Sequence, residues 1–219
     1  MVPRLVRSMP RAAPPDRRVI VFDLGGVVVQ WSDEWLFARV ARDLRLPLRR
    51  VRRAMLRAED PLEAGRFGLG EFWDRVSRSL RCPIPLAVRR RWVSVFRSRA
   101  RLRRDLLAWI GELRRAGRAV ACFSNTDPDH VRVIRARGWL KPFAPVILSY
   151  RIGAVKPARR AFDRARRALR RRGSEIFFFD DRAANVAAAR RAGWSAVRFV
   201  STAQARRAVA RWSRARQSS

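Results

Sequence analysis

Apolar residues gather along this chain in five short runs: 18–23 (RVIVFD), 119–123 (AVACF), 145–149 (PVILS), 175–179 (EIFFF) and 195–200 (SAVRFV). Runs of this length, rich in Val, Ile and Phe, predict buried strands. Around the last four, apolar positions recur at helical spacing instead. Residues 101–116 place Leu102, Leu106, Ile110 and Leu113 on one face, and Gly117 supplies a stop. Residues 157–172 begin with Pro157 at a first helical position and end before Gly173, and 182–192 end at Gly193. Strands alternating with helices in this way predict an α/β fold with a parallel, Rossmann-like sheet covered on both faces.

Residues 31–100 break the alternation. One amphipathic stretch carries Trp35, Leu36, Val40 and Leu44, another Phe72, Trp73, Val76 and Leu80, and no strong strand signal falls between them. The segment reads as a helical insertion after the first strand, its aromatic faces serving as packing. The expected division is therefore a core of 18–30 and 101–213, an inserted helical cap of 31–100, and a short tail, 214–219. Residues 1–17 are rich in Pro and Arg, lack periodicity, and read as a disordered leader. The leader has no long apolar segment, which argues against a secretory signal; an amphipathic transit peptide or a start codon placed too early both stay open.

Composition changes this picture in two places. With 48% hydrophobic residues over 219 positions the chain can bury a sizeable core, and no apolar run approaches the roughly 20 residues of a membrane span. Only Cys82 and Cys122 are present, which points to a reducing cytoplasm rather than a disulfide scaffold. The charge is the stranger feature: 51 Lys and Arg against 18 Asp and Glu give a net +33. The arginines are spread over nearly every predicted helix, not gathered in a stripe. We read them as compositional bias, with nucleic-acid contact limited to non-specific electrostatics. Only Lys141 and Lys156 are lysines, so a lysine inside a motif stands out.

In open parallel sheets, ligands bind beyond the carboxyl ends of the strands. Those ends carry Asp23, then Ser124-Asn125-Thr126, then Lys156 in GAVKP, then Asp180 to Asn185 in DDRAAN. Asp23, Asp180 and Asp181 offer hard oxygens suited to Mg²⁺, while Ser124, Asn125 and Lys156 suit phosphate oxygens. Taken singly, each has a plain structural explanation: a turn cap for Asp23, a helix start for Asp180-Asp181, an ordinary turn for Ser124-Asn125 and a solvated loop for Lys156. Four of them in order favour a site.

The ordered set FDLGGVV, SNT, KP and FFDDRAAN resembles the haloacid dehalogenase-like (HAD) hydrolases, over about residues 18–213. The insertion is similar to the small cap of subfamily I, and the paired-Asp loop is similar to the group holding bacterial α-D-glucose-1-phosphate phosphatase. The resemblance implies a Mg²⁺-dependent phosphatase of a small phosphorylated metabolite. Asp23 would attack phosphorus. Asp23, Asp180, the Gly25 carbonyl and Asp181 would hold the metal, Asp181 directly or through water. Ser124, the Asn125 backbone and Lys156 would bind the phosphoryl group, and Asn185 would order the acidic loop. One position departs: most phosphatases of this kind carry a second Asp two residues after the nucleophile to protonate the leaving group, and here it is Gly25. A cap carboxylate such as Asp33, Glu34 or Glu63 could substitute. Arg66, in EAGRFGLGEF, could meet substrate or lie on the surface, and His130 reads as structural or solvent-facing. Two other functions remain: a 2-haloacid dehalogenase of the same fold, which attacks carbon without metal, and a non-catalytic binder of nucleic acid or an acidic partner.

Overall fold

The computed structural model describes residues 17–214. All but the last residue of the expected leader, and the tail beyond 214, lie outside the described residues. The chain enters through β1 (Val19–Phe22), makes a two-residue strand β2 (Val29–Gln30), and then runs through five helices: α1 (Asp33–Leu44), α2 (Leu48–Glu63), α3 (Leu69–Leu80), α4 (Leu86–Arg89) and α5 (Arg91–Arg99). It returns through β3 (Arg101–Leu102) into α6 (Arg104–Arg115), β4 (Ala119–Ser124), α7 (Pro128–Ala136), β5 (Val146–Leu148), α8 (Ser149–Ile152) and α9 (Arg159–Leu169). The last elements are β6 (Ile176–Asp180), α10 (Ala183–Arg191), β7 (Ser195–Arg198) and α11 (Thr202–Arg214).

Five strands form one parallel sheet in the order β5-β4-β1-β6-β7. Both faces are buried, so each strand alternates between two hydrophobic clusters rather than between oil and water. Ile20 and Phe22 of β1 face Leu106, Trp109 and Ile110 of α6 and Val209 and Trp212 of α11. Val19 and Val21 face Phe162, Ala165 and Leu169 of α9 and Val186 and Ala189 of α10. The chain leaves β1 for β4 and β5 on one side and returns to β6 and β7 on the other. The order therefore reverses around β1, which opens a crevice at the carboxyl ends of β1, β4 and β6.

The helices between β2 and β3 close around a third cluster of their own, including Leu36, Phe37, Met55, Leu62, Phe72, Trp73 and Trp92. Their amphipathic faces, read from the sequence as packing, do pack. The two connections to this insert pair with each other: Val29 opposes Leu102 and Gln30 opposes Arg101 in a short antiparallel ribbon.

Four expectations need correction. Leu102 does not share a helix face with Leu106, Ile110 and Leu113; it lies in β3 opposite Val29, and α6 starts only at Arg104. Pro157 does not open α9; it follows a cis bond from Lys156 and lies in a turn closed by the Ala158 N–H on the Val155 carbonyl, 3.1 Å, and the helix starts at Arg159. The strand expected over 145–149 stops at Leu148, because Ser149 already begins α8 and turns its hydroxyl to the backbone of Thr126. The strand expected over 195–200 ends at Arg198. No described helix is long and apolar enough to cross a membrane.

Candidate active site

Asp23 follows β1 directly and is carried to the crevice by a strand whose four residues are all buried. Its backbone N–H donates to the Phe179 carbonyl at 2.9 Å, so the sheet ladder itself fixes the residue, and its Oδ1 accepts from the Leu24 N–H at 2.7 Å. Asp180 ends β6 beside it, and Asp181 follows. Oxygen atoms of Asp23, Asp180 and Asp181 all lie within 4.8 Å of one another.

Of the two glycines after Asp23, only Gly26 needs to be one. Its φ is +73°, and a Cβ there would collide with the Asp181 carboxylate. Gly25 has ordinary backbone and nothing within 4 Å of where a Cβ would stand. The missing second carboxylate is therefore a chemical choice at Gly25, not a steric one.

Lys156 is the sole ammonium among these acids. Its Nζ donates to Asp180 Oδ2 at 2.7 Å, to Asp23 Oδ1 at 3.0 Å and to the Phe123 carbonyl at 3.1 Å, which takes up all three of its protons. Burial works against its charge, yet Asp180 and Asp23 outweigh burial and lift Lys156 above the usual lysine range. For Asp23, burial is the largest influence and raises it; Lys156 pulls down, Asp180 and Asp181 push up, and it ends at about 7. Burial and then Asp180 raise Asp181 as well. Three carboxylates against one ammonium leave two negative charges unbalanced in a buried site. Hard oxygens with that excess fit a divalent cation such as Mg²⁺. The buried Asn185 Oδ1, which has no hydrogen-bond partner, adds a further unsatisfied acceptor beside them.

The remaining predicted residues support this centre. Asn185 donates through Nδ2 to both Asp180 oxygens at 3.0 Å, and the Arg182 N–H donates to Asp180 Oδ1 at 2.9 Å. The Asn125 side chain clasps the Lys156 backbone in both directions, at 2.9 and 3.0 Å, so it braces the lysine and leaves only its backbone for a ligand. Ser124, buried at the end of β4, donates to the Asn125 carbonyl at 3.1 Å. Cys122 is inert core whose thiol burial pushes far up. Arg66 is exposed and does not line the cleft.

The cleft above these residues has a volume of about 550 Å³, and its far wall is the helical insert. Asp33 and Glu34 face it from α1 and Glu59, Asp60 and Glu63 from α2, alongside Trp31 and Trp92. Seven of the chain's 18 acidic residues line the cleft against three of its 51 Lys and Arg, so a strongly basic protein encloses an acidic hole. Burial, with the other acids adding repulsion, raises Glu59 and Glu63 well above the usual glutamate range. Sequence reading missed Glu59 and Asp60; their spacing to Glu63 along one face of α2 was the available signal. It also missed Asp127, which caps α7 by accepting from the Asp129 and His130 N–H groups and binds the His130 ring.

No curated protein matches the chain significantly. Solved structures do share its fold. A HAD family enzyme from Bacteroides thetaiotaomicron, in complex with magnesium and inorganic phosphate, superposes with a TM-score of 0.65 at 18% identity, covering 83% of this chain and 93% of that one. A predicted HAD-like family hydrolase from Porphyromonas gingivalis gives 0.66 at 22% identity, covering 82% and 89%. L-2-haloacid dehalogenase from Xanthobacter autotrophicus gives 0.61 at 20% identity, covering 86% and 81%. The haloacid dehalogenase-like hydrolase family matches residues 17–193, most of the chain. This chain belongs to the haloacid dehalogenase-like hydrolases.

Proposed function

We propose that this hydrolase is a Mg²⁺-dependent phosphatase of small phosphomonoesters, a sugar phosphate or similar metabolite, with the helical insert as its cap. The observation that carries the reading is the trio of buried Asp23 and Asp180 with half-buried Asp181, which holds two carboxylates more than Lys156 balances. Those three side chains and the Gly25 carbonyl would hold Mg²⁺. When bound, the ion neutralises the excess charge and polarises the phosphoryl oxygens. The magnesium and inorganic phosphate in the Bacteroides thetaiotaomicron enzyme support the same class of chemistry.

In this reading Asp23 attacks phosphorus, forming an aspartyl-phosphate as the ester oxygen leaves with its electron pair and takes up a proton. Water then cleaves the acyl phosphate, which frees inorganic phosphate and restores the Asp23 carboxylate. Lys156, braced by Asn125, counters the charge that builds on the phosphoryl oxygens, and Ser124 with the Asn125 backbone receives them. Gly25 supplies no proton to the leaving group. Esters that leave readily, such as anomeric or aryl phosphates, should therefore be favoured, with the half-buried Glu59 and Glu63, raised by burial, as the candidate proton donors on the leaving-group side.

The likeness to L-2-haloacid dehalogenase makes dehalogenation the second reading. Displacing a halide from carbon has no use for a divalent cation, so the acidic trio separates the two. A phosphometabolite panel, with and without Mg²⁺ and with Asp23→Asn as the blank, tests the proposal. Mg²⁺-dependent phosphate release, faster from glucose 1-phosphate than from glucose 6-phosphate, is expected. Metal-independent chloride release from 2-chloropropionate would replace the phosphatase with the dehalogenase.

A further inference from the structure

His130 is the chain's only histidine, and its ring is held on every side. It lies in the first turn of α7 with 8% of its surface exposed. Nδ1 is 2.9 Å from Asp127 Oδ2, and Nε2 is 3.0 Å from the Trp92 carbonyl oxygen. A carbonyl oxygen has no proton to give, so Nε2 carries one. Asp127 already accepts the Asp129 and His130 N–H groups on Oδ1 and the Trp92 indole N–H on Oδ2. A carboxyl surrounded by donors is ionised, so Nδ1 carries a proton too. With both nitrogens protonated, the ring is an imidazolium.

The aromatic surroundings suit a cation. The Trp92 ring stacks on one side at 5.0 Å and 9°, the Phe96 ring at 4.3 Å and 28°, and Trp31 meets it at 6.1 Å. Trp92 and Phe96 belong to α5 of the insert. Asp127 and His130 belong to the core, directly after the Ser124–Thr126 loop.

We propose that His130 is a positioning residue that acts only as a cation, clamping α5 of the insert onto the loop after β4 and so holding the leaving-group wall of the cleft over the phosphate-binding end. The charged groups around it agree. Asp127 lies against the ring, Asp33 faces it from α1, and Glu59 and Glu63 of α2 face Asp127. On α5, Arg91 is paired with Asp43, and Arg97 is exposed. Burial opposes the imidazolium, but Asp127 outweighs burial and holds His130 above the ordinary histidine value. Asp127 in turn is held below the usual carboxylate range by His130 and its backbone donors, against its burial.

The sign of the pH dependence follows. The His130 contribution is complete below the ordinary histidine value near 6.5 and is lost as pH rises through its raised value in the fold. The Asp127 contribution is complete above the ordinary value of 3.8 and is lost as pH falls through its lowered one. The clamp is thus strongest between the ordinary Asp127 and His130 values and opens as pH rises through the raised His130 value.

Because the histidine is alone, ¹⁵N-histidine labelling of the full chain reads it directly by NMR. We expect both ring nitrogens protonated at neutral pH, a midpoint above that of free histidine, and a midpoint lowered in Asp127→Asn. Hydrogen-exchange protection of α5 should fall through the same midpoint while protection of β1 stays. For a bulky ester, KM should rise about tenfold there with kcat little changed, the equivalent of one charge-assisted hydrogen bond. A neutral tautomer at neutral pH, or protection and KM both flat through the midpoint, would overturn the clamp. Only the KM readout rests on the phosphatase reading; if no ester is turned over, that reading fails, and the NMR and exchange data still decide the clamp.

Discussion

The two walls of the cleft are built on opposite principles. On the core side, Lys156 uses its three protons on Asp23, Asp180 and Phe123, Asp180 receives Asn185 and the Arg182 N–H, and Asn125 locks the lysine backbone. On the insert side, Glu59 and Glu63 make no hydrogen bond or ion pair among the described residues, although both are largely withdrawn from water. The core wall is preorganised, with its groups fixed before anything binds, which is what a reacting centre requires. On the insert wall these two carboxyls lack partners, so ionising them costs stability and they stay available to whatever enters. Under the proposed phosphatase reading this is a division of labour: the strand ends would fix the reaction, and the insert helices what is brought to it.

The comparison can be broken most severely on the core side. Asp23→Asn keeps the shape of the site and removes the proposed nucleophile, so turnover should fall by at least about 10³-fold in a steady-state assay with Mg²⁺. The neighbouring glycines should then answer in opposite directions. Gly25→Asp places a carboxyl where nothing obstructs it and should speed hydrolysis of unactivated alkyl phosphates, by about 10²-fold if the new group acts as a general acid. Gly26→Ala forces a side chain onto Asp181 at positive φ and should raise the Mg²⁺ concentration needed for half-maximal rate by about tenfold. Equal effects at the two positions would contradict the site geometry.

The insert wall should show a trade between stability and activity. Glu59 and Glu63 bind protons more tightly folded than unfolded, so their ionisation withdraws stability as pH rises from the ordinary glutamate value of 4.5 toward the raised one. Glu59→Gln and Glu63→Gln should therefore raise Tm at pH 7 and leave it nearly unchanged at pH 4. If these carboxyls donate the leaving-group proton, the double variant should also slow alkyl phosphates by about tenfold more than aryl phosphates.

The smallest effect lies away from the cleft. α1, α3 and α9 end on Arg45, Arg81 and Arg170 in the left-handed conformation, where glycine is the favoured residue. Arginine there is the compositional bias at work in the backbone. Replacing each by Gly should stabilise the protein by about 0.5–1 kcal/mol per site, measured by urea unfolding.

The same division explains what could be read from the sequence. The core strands were legible because a short apolar run ending in a polar residue is a local signal, and Lys156 stood out because the chain has almost no other lysine. The sequence order of Asp23, Lys156 and Asp180-Asp181 predicted neighbours, and the structure brings them within contact. The β2–β3 ribbon was not legible, since each strand is two residues long and its partner lies across the whole insert. Nor was the setting of His130: its stacking rings come from α5, and no local pattern connects them to DPDH. Asp33, Glu34 and Glu63 were legible as candidate acids and do line the cleft, but Glu59 and Asp60 were hidden because a helix face rich in charge reads as solvated until another wall is seen opposite it.

The central claim is that Asp23 carries the phosphoryl group. The most direct measurement is acid quenching of the enzyme during turnover of a ³²P-labelled phosphomonoester with Mg²⁺, followed by hydroxylamine treatment of the precipitated protein. The account predicts hydroxylamine-labile label on the protein, located to the peptide containing Asp23, and none on Asp23→Asn. Phosphate release without such label, or label that persists in Asp23→Asn, would contradict it.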